Sequence, residues 1–252
     1  MNRVIRGLGV VASAAGLLSL MLVMLSSAVS VHGAGAATPA WIDDFEAPTL
    51  DGQWFWVRED PSHWSIIERP GFLRITTQQG GLIGTGGNAK NLLVRRAPVG
   101  SFEIETRVLF TPTENFQMAG LLVGQDDDNF LMLGRAYCDL APPYFGNAIY
   151  FDHEERGAFF DENYAMTTTV PGEAYLRIVR EGTVFTGYVS ENAEDWMLVG
   201  VHTAVSGLIP SLVGLAAEPS WMAVAEIPAD FDYFRLDDRS YAVLLPLVLR
   251  YH

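Results

Sequence analysis

Between Trp41 and Leu236 the chain alternates short apolar runs with Gly, Pro, Asn and Asp. Within many runs apolar and polar residues trade places at every second position, the period of a strand with one face buried. The clearest are Phe72–Thr77, Leu92–Arg96, Phe102–Phe110, Met118–Gln125, Phe130–Tyr137 and Ala148–His153. Ala174–Arg180, Val184–Ser190, Trp196–His202, Leu212–Ala217 and Ala229–Leu236 follow. No stretch of this region keeps a helical period over three turns. Many strands with no helices between them predict an all-β sandwich or barrel of antiparallel sheets. Neither a repeat nor a linker interrupts the pattern, so 37–238 reads as one domain. Trp41–Phe45 and Asp232–Leu236 read as its first and last strands, which in such sandwiches commonly lie side by side.

The two ends have a different character. Arg3 and Arg6 precede an apolar run from Leu8 to Val31, and Ala34-Gly35-Ala36 offers a small-residue cleavage site. Residues 1–36 therefore predict a secretory signal peptide, and the mature protein is expected to be secreted or cell-surface associated. The run is also long enough to span a bilayer if it were retained as an anchor. The tail 239–252 is apolar but broken by Pro246 and too short to cross a membrane, so no stable insertion is expected once the leader is cleaved. An edge strand, a docking peptide and a sorting signal all fit it.

Charge narrows the partners. Without Arg3 and Arg6 the chain carries 14 basic against 30 acidic residues, a net −16. That surface repels nucleic acid and anionic membrane and leaves neutral glycans compatible. Cys138 is the sole cysteine, so stability must come from the core, and a packed structural role beside Tyr137 is expected for it.

The stretch from Asn115 to Glu155 reads NFQMAGLLVGQDDDNFLMLGRAYCDLAPPYFGNAIYFDHEE. With GSFEIETRV before it and TGYVSENAEDWMLVG after it, it resembles the β-xylosidase C-terminal concanavalin A-like domain. Trp54-Phe55-Trp56-Val57-Arg58-Glu59-Asp60-Pro61 and His63-Trp64-Ser65 are similar to that family's opening motif. The resemblance spans Trp41–Leu236 and implies an all-β, concanavalin A-like β-sandwich (jelly roll) of two antiparallel sheets. It also implies carbohydrate as the ligand, laid across the concave sheet. The family is found appended to xylan-degrading glycosidases and in free-standing proteins. Ser190-Glu191-Asn192-Ala193-Glu194-Asp195-Trp196 resembles a hairpin of lectin-like sandwiches whose Trp packs back on the sheet.

Alternation assigns the faces. Phe102, Ile104, Val108 and Phe110 form one apolar set, leaving Glu103, Glu105 and Arg107 opposite. Leu176 and Ile178 face inward, leaving Tyr175 and Arg177. Leu131, Leu133, Arg135 and Tyr137 share a face, as do Tyr150, Asp152 and Glu154, with Phe151 and His153 behind them. If the polar faces belong to one sheet they form a groove. Its expected ligand contacts are Trp56, Arg58, Glu59, Arg135, Tyr150, Asp152, Glu154 and Arg177, with Trp54 and Trp64 in the core.

These residues support a secreted, non-catalytic protein that binds a plant or microbial polysaccharide such as xylan. Two alternatives stand beside it. A small glycoside hydrolase would pair Glu103 with Glu105 or Glu154, although the run Glu103-Ile104-Glu105-Thr106-Arg107 carries an arginine where some related glycosidases carry a third carboxylate. An accessory subunit would dock a separate glycosidase. No cofactor is required. Asp43, Asp44 and Asp232 are candidates for a structural Ca²⁺ where the end strands meet, whereas Asp126-Asp127-Asp128-Asn129 reads as a solvated hairpin turn.

Overall fold

A computed structural model of the protein describes residues 40–82, 87–140, 145–159, 164–218 and 225–240. The expected leader at 1–36 and all but the first two residues of the tail at 239–252 lie outside them. In chain order the strands are β1 (Trp41–Asp43), β2 (Phe55–Val57), β3 (Trp64–Ser65), β4 (Leu73–Thr76), β5 (Leu92–Arg96) and β6 (Phe102–Leu109). Next come β7 (Met118–Asp126), β8 (Asn129–Cys138), β9 (Gly146–Glu155), β10 (Ala158–Phe159) and β11 (Tyr164–Met166). The last are β12 (Glu173–Glu181), β13 (Val184–Ser190), β14 (Met197–Thr203), β15 (Leu212–Glu218) and β16 (Pro228–Asp238).

They form two antiparallel sheets. The first runs β14-β13-β12-β6-β16-β4-β3, with β1 added to β16. The second runs β10-β9-β8-β7-β15-β5-β2, with β11 added to β9. First and last strands do lie side by side, Trp41 opposite Leu236 and Asp43 opposite Phe234. Trp41, Trp54 and Phe234 pack edge to face around that pairing, with ring centroids 5.0 to 6.2 Å apart.

The core lies between the sheets. Ile104 and Val108 of β6, Leu176 and Ile178 of β12, and Phe231 and Phe234 of β16 meet Leu121, Leu133, Phe151 and Leu215 from the second sheet, all buried. Each such side chain contributes roughly 1.5–3 kcal/mol by leaving water.

The second sheet is buried on its other face as well. Leu92, Val94, Met118, Leu122, Phe130 and Met132 make a separate apolar cluster there, beneath Leu82 and Ala89 of the preceding segment. Cys138 packs in it. Double burial explains why β7 reads MAGLLVG as an almost unbroken apolar run, all of it buried. In the middle of that sheet Gly120 stands opposite Gly134. A Cβ on Gly120 would lie 2.1 Å from the Leu133 carbonyl oxygen, so the close approach of β7 and β8 admits only glycine.

Observed strands match the expected ones to within two residues at each end, some longer and some, such as Leu73–Thr76 and Phe102–Leu109, shorter. The strands β2, β3, β10 and β11 were not foreseen, because two or three residues are too few to show a period.

Candidate functional site

The polar faces divide between two sheets and do not share one groove. Glu103, Glu105 and Arg177 face outward from the first sheet; Tyr150, Asp152 and Glu154 face outward from the second.

On the first sheet Glu103 and Glu105 both meet cations. Arg177 stands opposite Glu105 in register. Its guanidinium lies 2.7 Å from the Glu105 carboxylate and 3.2 Å from that of Glu103, and it stacks 3.7 Å over the Trp196 ring. Arg239 also pairs with Glu103, and the Tyr233 hydroxyl donates to Glu105 over 2.6 Å. Burial and that carboxylate together push the Tyr233 pKa far up. Glu103 and Glu105 thus form cross-strand ion pairs and lie on the opposite side of the sandwich from Glu154, so they do not make a carboxylate pair with it.

Several expected contacts sit elsewhere. Arg135 shares the inner face with Leu131 and Leu133, because residues two apart on a strand point the same way. There it is nearly fully buried, and it donates to Asn147 Oδ1, Thr168 Oγ1 and the Val170 and Glu173 carbonyls. Trp56 stands opposite the inward Leu93 and packs against Trp64, centroids 4.8 Å apart, at the rim of the core. Glu59 is exposed and accepts from Trp64 Nε1 over 3.2 Å. Tyr150 does face outward, but its hydroxyl is engaged locally, accepting from Phe145 N and donating to the Gly146 and Cys138 carbonyls.

Strand β9 splits the dense run Asp152-His153-Glu154-Glu155 between two environments. His153 and Glu155 turn inward, with the imidazole 2.9 Å from the carboxylate. Glu155 holds the Val205 and Ser206 amides at 2.9 and 2.6 Å. His202 lies alongside, its ring 5.0 Å from that of His153 and its Nε2 2.8 Å from the Phe151 carbonyl. Burial lowers both imidazoles, His202 to about 4.

Asp152 and Glu154 turn outward, where sequence reasoning had missed a third member. Glu218, at the end of β15, faces the same side. It accepts from the Leu82 amide over 2.7 Å. Glu218 feels the charges of both Asp152 and Glu154. The exposed surface left on Asp152 and Glu218 is 7% and 6%. Burial pushes Asp152 up to about 7 and Glu218 up to about 8. At neutral pH such groups offer both a proton to donate and lone pairs to accept. The one signal for Glu218 in the sequence was its place at the end of an otherwise apolar run, LVGLAAE.

Arg58 borders this patch. Its Nε donates to the Ala89 carbonyl over 2.5 Å and its Nη atoms grip Asp127 at 2.8 and 2.9 Å. Its backbone takes a left-handed φ of 52°, and its carbonyl accepts from Asn91 N. Strain of this kind persists only where neighbours hold it.

The Ca²⁺ expectation finds no fit. Asp43 accepts from Phe45 N and Trp54 Nε1, Asp44 from Glu46 N, and Asp232 from Arg107 Nη1. Among the described residues no three His, Cys, Asp or Glu side chains converge as metal ligands. The acidic turn behaves as a hairpin, Asp126 Oδ1 accepting from Asp128 N and Asn129 Nδ2. Among the described residues no helix is long and apolar enough to cross a membrane.

Two antiparallel sheets with paired terminal strands define a concanavalin A-like β-sandwich. More narrowly, residues 42–237 match the β-xylosidase C-terminal concanavalin A-like domain, and the chain belongs to that family. It is 26% identical over 201 residues to a non-reducing end α-L-arabinofuranosidase of Bacteroides ovatus, a match covering 76% of this chain and 36% of that protein. A GH43 protein of Bacillus licheniformis superposes with a TM-score of 0.68 at 25% identity, over 78% of this chain and 39% of that one. A xylan β-1,4-xylosidase of Bacillus halodurans gives 0.65 at 25% identity with the same coverage. The chain thus spans little more than a third of these relatives, and its context is that of carbohydrate-active proteins.

Proposed function

We propose that this domain recognises a neutral polysaccharide or oligosaccharide, of the kind its relatives' names point to, and that it does so without cleaving it. The observation that carries this reading is the pair Asp152 and Glu218 on the outer face of the second sheet, with Glu154 fully buried on the same face. The Asp152 and Glu218 carboxyls, whose pKa values burial raises to about 7 and about 8, suit hydroxyl-rich, uncharged ligands, because each can donate and accept in turn. Arg58 at the border supplies a fixed donor frame. The chain's acidity and the leader read at 1–36 are consistent with work outside the cytoplasm on a neutral polymer. The ion-paired Glu103 and Glu105 support the fold and take no part.

Calorimetric titration with xylo- and arabinoxylo-oligosaccharides tests this, with reducing ends read from the same samples. Binding that weakens as pH rises past about 8, and that Asp152→Leu abolishes while the fold survives, is the expected result. New reducing ends would replace binding by hydrolysis. Silence in both channels would move the function to docking a separate glycosidase.

A further inference from the structure

Beside the carboxyl patch lies an apolar cavity of about 70 Å³. Leu82, Leu92, Val94, Leu122, Phe130 and Leu212 line most of it. Its polar wall is Asp126 and Asp127 at the exposed end, where Asp127 takes the bridge from Arg58. Two residues join the cavity to the patch. Phe130 stands opposite Glu154 in register, and Leu82 gives its amide to Glu218. A ligand whose hydroxyls engage the acids would therefore carry its neighbouring substituent to this opening.

The lining fixes what the substituent is. Carbon walls reject a hydroxyl, which would lose its hydrogen bonds with nothing in return. Apolar cavities of roughly 150 Å³ stay dry and take a benzene, so about half that volume suits a group of two or three heavy atoms. We propose that this cavity is a subsite for a short acyl group, an O-acetyl ester on the glycan. Its methyl enters among Leu122, Phe130 and Leu212, and its carbonyl stays at the Arg58–Asp127 end. The proposal rests on the glycan reading above and narrows it to acylated chains.

Gly124 offers a clean test, because it also lines the cavity. A Cβ there would meet nothing closer than the Phe130 Cβ at 3.7 Å, so a side chain can start from this position without forcing the strands apart. The full chain and its Gly124→Val variant are titrated with an O-acetylated xylo-oligosaccharide and with the same oligosaccharide after mild alkaline deacetylation. Burying a methyl predicts that the wild-type chain binds the acetylated form about fivefold more tightly. Gly124→Val is expected to erase that preference, hold the affinity for the deacetylated form, and melt no lower than wild type. Equal affinity of the wild type for both forms overturns the acyl subsite and leaves the glycan reading standing. A preference that Gly124→Val does not alter also overturns it. Failure of both forms to bind the wild type sinks the two readings together.

Discussion

Glu105 on the first sheet and Glu218 on the second each retain 6% of their surface, and each looks outward from the sandwich core. Glu105 meets Arg177 directly across the strand pair and takes the Tyr233 hydroxyl. Glu218 meets a backbone amide, and the charges of Asp152, Arg58 and Glu154 act on it through space. Equal burial therefore gives unequal chemistry. Where a guanidinium stands opposite, the acid is a structural strut; where burial dominates, the cheaper state is the protonated one. The first face is closed by its own ion pairs, and the second keeps hydrogen-bonding capacity for something else.

Removing the two acids should show this contrast most strongly. Glu105→Ala leaves Arg177 and the Tyr233 hydroxyl short of their acceptor in a mostly buried place. Urea unfolding is expected to show a loss of about 2–4 kcal/mol. Glu218→Gln keeps an acceptor for the Leu82 amide and removes a charge that burial disfavours. Its expected effect is within about 0.5 kcal/mol of zero at pH 7 and stabilising at pH 9. Equal losses for the two variants would erase the distinction.

The next effect is the pH dependence, and its sign follows from the direction of each shift. Asp152 and Glu218 bind protons more tightly folded than unfolded, so the stability they contribute is full below about pH 4 and lost as pH rises to about 8. His202, on the inner side, binds its proton less tightly folded, so its contribution is full above about pH 6.5 and lost as pH falls towards 4. The two sets oppose each other between roughly pH 4.5 and 6.5. Above that the acids act alone, and stability should fall most steeply between about pH 6.5 and 8. Each group gives up to about 1.4 kcal/mol per pH unit. Glu218→Gln should flatten the upper fall, and His202→Gln should flatten the acid limb. Chemical unfolding at stepped pH reads both slopes, and a wild-type curve that rises from pH 6.5 to 8 would contradict the assignment.

These faces were only partly legible in the sequence. The period of two placed Glu103, Glu105 and Arg177 correctly opposite their apolar neighbours, and did the same for Asp152 and Glu154. A period cannot say which sheet a strand joins. The groove assembled from β6, β9 and β12 therefore fell apart once β9 proved to lie in the other sheet. Arg135 was misplaced for a related reason: its own alternation with Leu131 and Leu133 pointed inward, and charge argued for solvent. Trp56 followed its pairing with Leu93 to the rim of the core. Glu218 left no periodic trace, since β15 is apolar on both faces. Its place with Asp152 on the outer face depends on strands distant in sequence joining one sheet.

The smallest effect concerns Arg58, the cation that faces Glu218. Arg58 lowers the pKa of Glu218 against the larger upward push of burial. Arg58→Gln should therefore let Glu218 hold its proton to higher pH, moving the upper end of the stability fall upward by a few tenths of a pH unit. The lost bridge to Asp127 is about a third exposed on each side, so its own cost stays below about 1 kcal/mol and is nearly independent of pH in this range. The two consequences separate cleanly: one shifts the curve along the pH axis and the other lowers it. A double variant with Glu218→Gln should keep the drop and lose the shift. If the shift persisted without Glu218, Arg58 would be acting on another acid of the patch, and the contrast between the two faces would have to be drawn around Asp152 instead.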